Sequence, residues 1–158
     1  MESTLEQQLL LGRVQNLLVS GYSCAQSVFC PFAAQLHLSH EDAFRISAGF
    51  GGGMAFGEVC GAVTGAIMVI GLKSASWNAD VKDTYAKERT YELCHEFMKT
   101  LKMRIGSLCC RDLIGFDLGK FGNEHHILNA DRDLYVHCPG YVRSAAEILF
   151  DILNGSDE

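Results

Sequence analysis

Only two of the 158 residues are proline, and no low-complexity segment or internal repeat interrupts the chain, so little stands in the way of long helices. No run of β-branched residues alternates with period two, which argues against a sheet. Cys-x-x-Cys is absent, and with it the thioredoxin-like and zinc-ribbon signatures. The run Gly51-Gly52-Gly53 is not followed by Gly-Lys-Ser/Thr and does not match Gly-x-Gly-x-x-Gly, so nucleotide binding is not expected. Basic residues are scattered in a chain of net charge −6, leaving no positive stripe for nucleic acid. Residues 54–72 are apolar for about the length of a membrane span, but Glu58 and the glycines at 57, 61, 65 and 71 fit a buried helix, and no span is expected. The opening Met1-Glu2-Ser3-Thr4-Leu5-Glu6 lacks the basic and apolar regions of a signal peptide, which places the protein in a reducing cytoplasm.

What the chain does have is apolar mass and sulfur. With 48% hydrophobic residues it can bury a core without disulfides, and its seven cysteines are an odd number that does not fit a fully paired secreted framework. The periodicity predicts a compact, all-α, single-domain bundle of about six helices spanning 1–158. Leu5, Leu9, Leu10, Val14, Leu17 and Leu18 mark a first helix over 3–19, with Ser3 and Glu6 as a capping box. Ser23 and Gln26 repeat the box and open a second helix, which Pro31 should kink or interrupt. Ser39 caps a short helix through Ile46. A glycine loop over 49–53 leads into a helix around 57–72 whose apolar residues occur nearly all round, as in a buried central helix. An amphipathic helix over 80–105 places Val81, Tyr85, Cys94, Phe97, Leu101 and Ile105 toward one side. Ser107 caps a short helix over 108–114, residues 115–137 read as a long loop or lid, and Pro139 begins a last helix to Leu153.

Four cysteines share a position in this scheme. Cys24 follows Ser23, Cys60 follows the glycine loop, Cys110 follows Ser107, and Cys138 precedes Pro139, each at or within one turn of a helix start. Unpaired N–H groups and the helix dipole favour an anionic sulfur there. Mid-helix Cys30 and Cys94 have no such help, and cysteine as a small core hydrophobe is the plain alternative. If the four termini converge, they supply dithiol pairs, or four ligands for zinc or an iron–sulfur cluster. Cys109 next to Cys110 reads as one core and one site cysteine. Gly57, Gly61 and Gly65 recur on one helix face and let another backbone approach. Glu58 is a helix-dipole partner or a proton acceptor for a thiol, and Glu124-His125-His126 and His137 are solvated loop residues or nitrogen ligands.

Taken in order, Gly21-Tyr22-Ser23-Cys24-Ala25-Gln26, Gly51-Gly52-Gly53, Cys60-Gly61-Ala62-Val63-Thr64-Gly65, Cys110-Arg111-Asp112-Leu113-Ile114-Gly115 and Cys138 resemble the redox-active C_GCAxxG_C_C family. The similarity runs from about residue 13 to 150 and includes the closing helix around Val142, Ala145, Ala146 and Leu149. It carries the four family cysteines onto Cys24, Cys60, Cys110 and Cys138. The central motif reads Cys-Gly-Ala-x-x-Gly here, where the family label has Gly-Cys-Ala-x-x-Gly. The resemblance implies a redox role without an established substrate.

The leading expectation is a thiol-based redox protein, a candidate oxidoreductase, with Cys60 as attacking thiolate and Cys24, Cys110 or Cys138 resolving it. The alternative is a non-enzymatic iron–sulfur or metal carrier or sensor using the same four cysteines. An interaction module with buried cysteines is a third. A redox partner or small-molecule substrate, and self-association into a homo-oligomer, are compatible with each.

Overall fold

A computed structural model describes residues 2–75, 83–121 and 132–155. These form eight α-helices: α1 (Glu2–Val19), α2 (Cys24–Gln35), α3 (His40–Ser47), α4 (Gly61–Ser74), α5 (Thr84–Ile105), α6 (Cys110–Ile114), α7 (Leu118–Phe121) and α8 (Cys138–Gly155). No strand occurs among the described residues, and the all-α expectation holds. Helix starts follow side-chain caps: Ser23 and Gln26 make the reciprocal box, Ser39 accepts from Asp42 N–H and Asp83 from Ala86 N–H.

The helix around 57–72 begins only at Gly61, so Glu58 lies ahead of it and Gly57 is not on its face. From Gly61 onward it is central as expected, packing on α2, α5 and α8 and burying Ala62, Val63, Ala66, Val69 and Ile70. Two glycines bring it onto α2. A Cβ at Gly65 would lie 2.7 Å from the Ala25 carbonyl oxygen, and one at Gly61 would lie 2.9 Å from Ala25 N and 3.2 Å from Cys24 Cβ. Gly65→Ala is therefore expected to lower stability: overpacking of about 1–3 kcal/mol exceeds the gain of about 1 kcal/mol in helix propensity. The melting temperature should fall by several degrees, at about 2–4 °C per kcal/mol for a chain of this size. An unchanged melting curve would show that the two backbones can separate without loss.

Other expectations are corrected. Pro31 does not interrupt α2, which continues to Gln35 because the flanking Phe29, Cys30, Phe32 and Ala33 are buried and hold the turn. Leu5 and Leu9 are 60% and 59% exposed, whereas Leu10 and Val14 point inward as expected and Leu11 joins them. Tyr85 likewise faces out at 79% exposure. The 115–137 segment contains α7 and a 3₁₀ turn at Arg132–Tyr135, while Glu124, His125 and His126 lie outside the described residues, as do Val81 and the side chain of Ser3.

Between α3 and α4 the backbone takes an unusual course. Gly52, Gly53, Met54 and Ala55 are consecutively left-handed, with φ of 62°, 62°, 58° and 55°. Such a conformation costs about 1–2 kcal/mol at each non-glycine residue, so contacts must hold it. The Gly57 carbonyl accepts from Arg111 Nε at 3.1 Å and from Cys109 Sγ at 3.3 Å, and Arg111 also pairs with Glu58. The chain leaves this turn through an isolated antiparallel bridge between Val59 and Cys109, in which Cys60 N–H donates to Leu108 O at 2.8 Å and Cys110 N–H to Glu58 O at 2.6 Å.

Candidate functional site

That single bridge settles which of the vicinal cysteines faces inward. Side chains alternate across a strand-like segment, so Val59 and Cys109 share one face while Cys60 and Cys110 share the other. Cys60 and Cys110 are accordingly buried, at 5% and 6% exposure, and Cys109 is half-buried with its thiol on the Gly57 carbonyl.

Cys24, Cys60, Cys110 and Cys138 are each delivered by a helix start. Cys24 is the first residue of α2, held beside α4 by the approach of Gly61 to Cys24 Cβ. Cys60 is the N-cap of α4, and Cys110 is the first residue of α6. Cys138 is the first residue of α8, 8% exposed, and α8 is tied to α6 where the Tyr141 hydroxyl donates to Leu113 O at 3.3 Å. The four helix starts lie near one another: each of the four thiols affects the ionisation of at least one other, Cys24 and Cys138 most strongly. All seven cysteines are free thiols. Cys30, against Ser47, and Cys94 stand apart from the cluster.

The order of acidity differs from the expectation for Cys60. Burial pushes the Cys60 thiol up, opposed by the N–H groups of Ala62 and Val63 at the start of α4, so the helix terminus does not overcome desolvation. Cys110 is pushed up to about 12, first by burial and then by Cys60, Cys138 and Cys109. Cys138 is the exception, lowered by the hydrogen bond from Cys24 despite its own burial. Cys24 is correspondingly raised, above all by that same bond, then by burial.

The pH dependence of stability follows. In the unfolded chain the raised thiols ionise near their ordinary value of 9.0, whereas the folded chain still holds the protons of Cys24, Cys60 and Cys110. Above that pH the folded state binds more protons, so stability falls as pH rises, by about 1.4 kcal/mol per pH unit for each such thiol. Cys138 acts with the opposite sign: the stability from its lowered value is present above the unfolded value and lost as pH falls through the folded one. Urea midpoints between about pH 9 and 12 should decline with pH, and Cys110→Ala should flatten that decline; equal slopes would show that Cys110 ionises alike in both states.

Two neighbours carried no signal in the sequence that would have selected them. Tyr135, half-buried in the 3₁₀ turn ahead of α8, has its hydroxyl pushed up by burial and then by Cys110, Cys138 and Cys24, which places it at the cluster. Arg111 anchors the left-handed turn and engages Glu58, whose side chain is thereby paired with a cation rather than with a thiol. His137 is exposed beside the Tyr141 ring.

Among the described residues, no group of three or more His, Cys, Asp or Glu side chains is arranged to hold a metal ion, and no helix is long and apolar enough to cross a membrane. A family model described as "Putative redox-active protein (C_GCAxxG_C_C)" matches residues 22–152. No curated protein and no solved structure shows a match.

Proposed function

The chain belongs to the C_GCAxxG_C_C family, whose description is of redox-active proteins, and from that premise we propose that it works by reversible thiol–disulfide chemistry, with Cys24 and Cys138 as the reactive pair. What supports this reading is that Cys24 and Cys138 start α2 and α8 beside one another, and that Cys24 is the first cause of the lowered value of Cys138 while Cys24 itself is raised. A thiolate is the attacking species in disulfide exchange, and a second thiol in contact with it resolves the intermediate. Cys138 attacks an acceptor disulfide, Cys24 then displaces the acceptor's remaining sulfur from Cys138, and two electrons and two protons pass to the acceptor. Cys60 and Cys110 complete the wall of the site.

This assigns to Cys138 the attacking role that helix placement alone gives to Cys60. A four-thiolate metal or iron–sulfur centre needs its ligands arranged about one point, and no such grouping occurs among the described residues. Metal content, visible absorption and free-thiol count of anaerobically purified protein test the reading. The expected result is a colourless protein free of iron and zinc that loses two thiols on mild oxidation and regains them with a dithiol reductant. Stoichiometric metal bound by the cluster, or no thiols lost, would overturn it.

A further inference from the structure

The first helix carries two faces. Leu10, Leu11 and Val14 enter the core, with Leu17 and Leu18 packed against it. On the opposite side Leu5, Leu9, Gly12, Asn16 and Val19 are all exposed, and they follow one another at alternating intervals of four and three residues. A single exposed leucine is ordinary on a protein surface, but this is the 3.5-residue repeat of a coiled-coil seam, sustained from Leu5 to Val19. Gly12 gives a second sign. No atom lies within 4 Å of where its Cβ would stand, and its φ is not left-handed. A mid-helix glycine weakens the helix, and no turn or close approach within the chain requires this one.

We propose that the outer face of α1 docks a second copy of this chain, the two α1 helices running antiparallel with Leu9 of each seated over Gly12 of the other. In that register Leu5 lies against Asn16, and on the flank Glu6 meets Arg13; the two-fold axis makes each contact occur twice. Glu6 and Arg13 are exposed, and neither is in an ion pair among the described residues. Charge selects this arrangement over its neighbours. Shifted by one heptad, the antiparallel pair would set Arg13 against Arg13, and a parallel pair would set Arg13 against Gln8. Gln15 Nε2 donates to Pro139 O at 3.2 Å, so the C-terminal half of α1 lies at the Cys138 end of the molecule. The antiparallel pairing therefore carries the cysteines of the two copies to opposite ends of the seam, where each set meets its own partner.

Sedimentation of the full chain under reducing conditions, between about 1 and 500 μM and at about 50 mM salt, tests the proposal. A seam of two helices is at the small end of specific interfaces, so a reversible dimer with a dissociation constant on the order of 10 μM is expected. Leu9→Glu should be monomeric throughout, with the circular dichroism and melting of the dilute wild type, because Leu9 is 59% exposed within one chain. Glu6→Arg and Arg13→Glu should each weaken the dimer by about fivefold or more, by turning both flanking attractions into repulsions. Mixed together, these two variants should pair as tightly as the wild type, since every changed charge then meets its opposite, and the double variant should do the same. That rescue does not depend on how Leu9→Glu folds. A wild type that stays monomeric at about 500 μM, or a dimer that survives Leu9→Glu, would overturn the docking surface. A dimer indifferent to the charge reversals, or not restored in the mixture, would overturn the antiparallel pairing.

Discussion

Alkylation of Cys138 at neutral pH is expected to slow by roughly tenfold or more when Cys24 is replaced by alanine, and to change little when it is replaced by serine. Cys24 is the first cause of the lowered value of Cys138. A hydrogen bond to a charged group contributes about 1.5–3 kcal/mol, about tenfold or more in the population of the charged form. Alanine removes the donor and leaves Cys138 to the effect of burial, which pushes it up; serine supplies a hydroxyl in the same place. Both variants, together with Cys138→Ser, should abolish the reversible loss of two thiols, whereas Cys30→Ser and Cys94→Ser should retain it. Iodoacetamide labelling against pH, resolved by peptide, makes the comparison. If Cys24→Ala leaves the Cys138 rate untouched, the shared proton does not activate it.

The largest structural effect is expected from Gly53→Ala. Gly53 has φ of +62°, and a Cβ there would lie 2.5 Å from Glu58 N, 2.7 Å from Glu58 O and 2.9 Å from Cys110 Cβ. Two of those atoms are backbone and cannot swing aside. The penalty combines a left-handed alanine, about 1–2 kcal/mol, with overpacking of about 1–3 kcal/mol, a substantial share of the 5–15 kcal/mol that stabilises a typical domain. Because the Glu58 carbonyl accepts from Cys110 N–H, relief of the clash must shift the bridge and the Cys110 thiol with it. Chemical denaturation should show the stability loss, and thiol-reactive dye should label Cys110 faster than in the wild type. Wild-type stability with a slow Cys110 would mean that the turn relaxes without disturbing the cluster.

Arg111 illustrates how the turn is held from outside. It reaches the Gly57 carbonyl and the Glu58 carboxylate from the first turn of α6, so the strained residues Met54 and Ala55 are followed by this anchor and then by the bridge at Val59. The bridge and the left-handed turn together bring α4 and α6 to one place, and with them Cys60 and Cys110.

Where a side-chain cap or a proline sets it, a helix start is local and was legible in the sequence, whereas α4 starts at Gly61 and α6 at Cys110 rather than around 57 and at 108 as expected. Ser23, Ser39 and Pro139 act on the next few residues through caps and a preset dihedral, so the positions of Cys24 and Cys138 at helix starts were legible without coordinates. The same holds for the all-round apolar pattern that buries α4. The turn at 52–57 was not legible, because left-handed Met54 and Ala55 oppose their own preference and are held by residues some fifty positions away. Nor could the sequence separate Cys109 from Cys110: their inward and outward directions are set by pairing with Val59, a partner the chain order does not specify. The order of acidity lay furthest out of reach. A helix start favours a thiolate by a local dipole that is alike for all four cysteines. Desolvation at Cys60 and Cys110, and the influence of Cys24 on Cys138, depend on where four distant segments meet, and only the tertiary structure decides that.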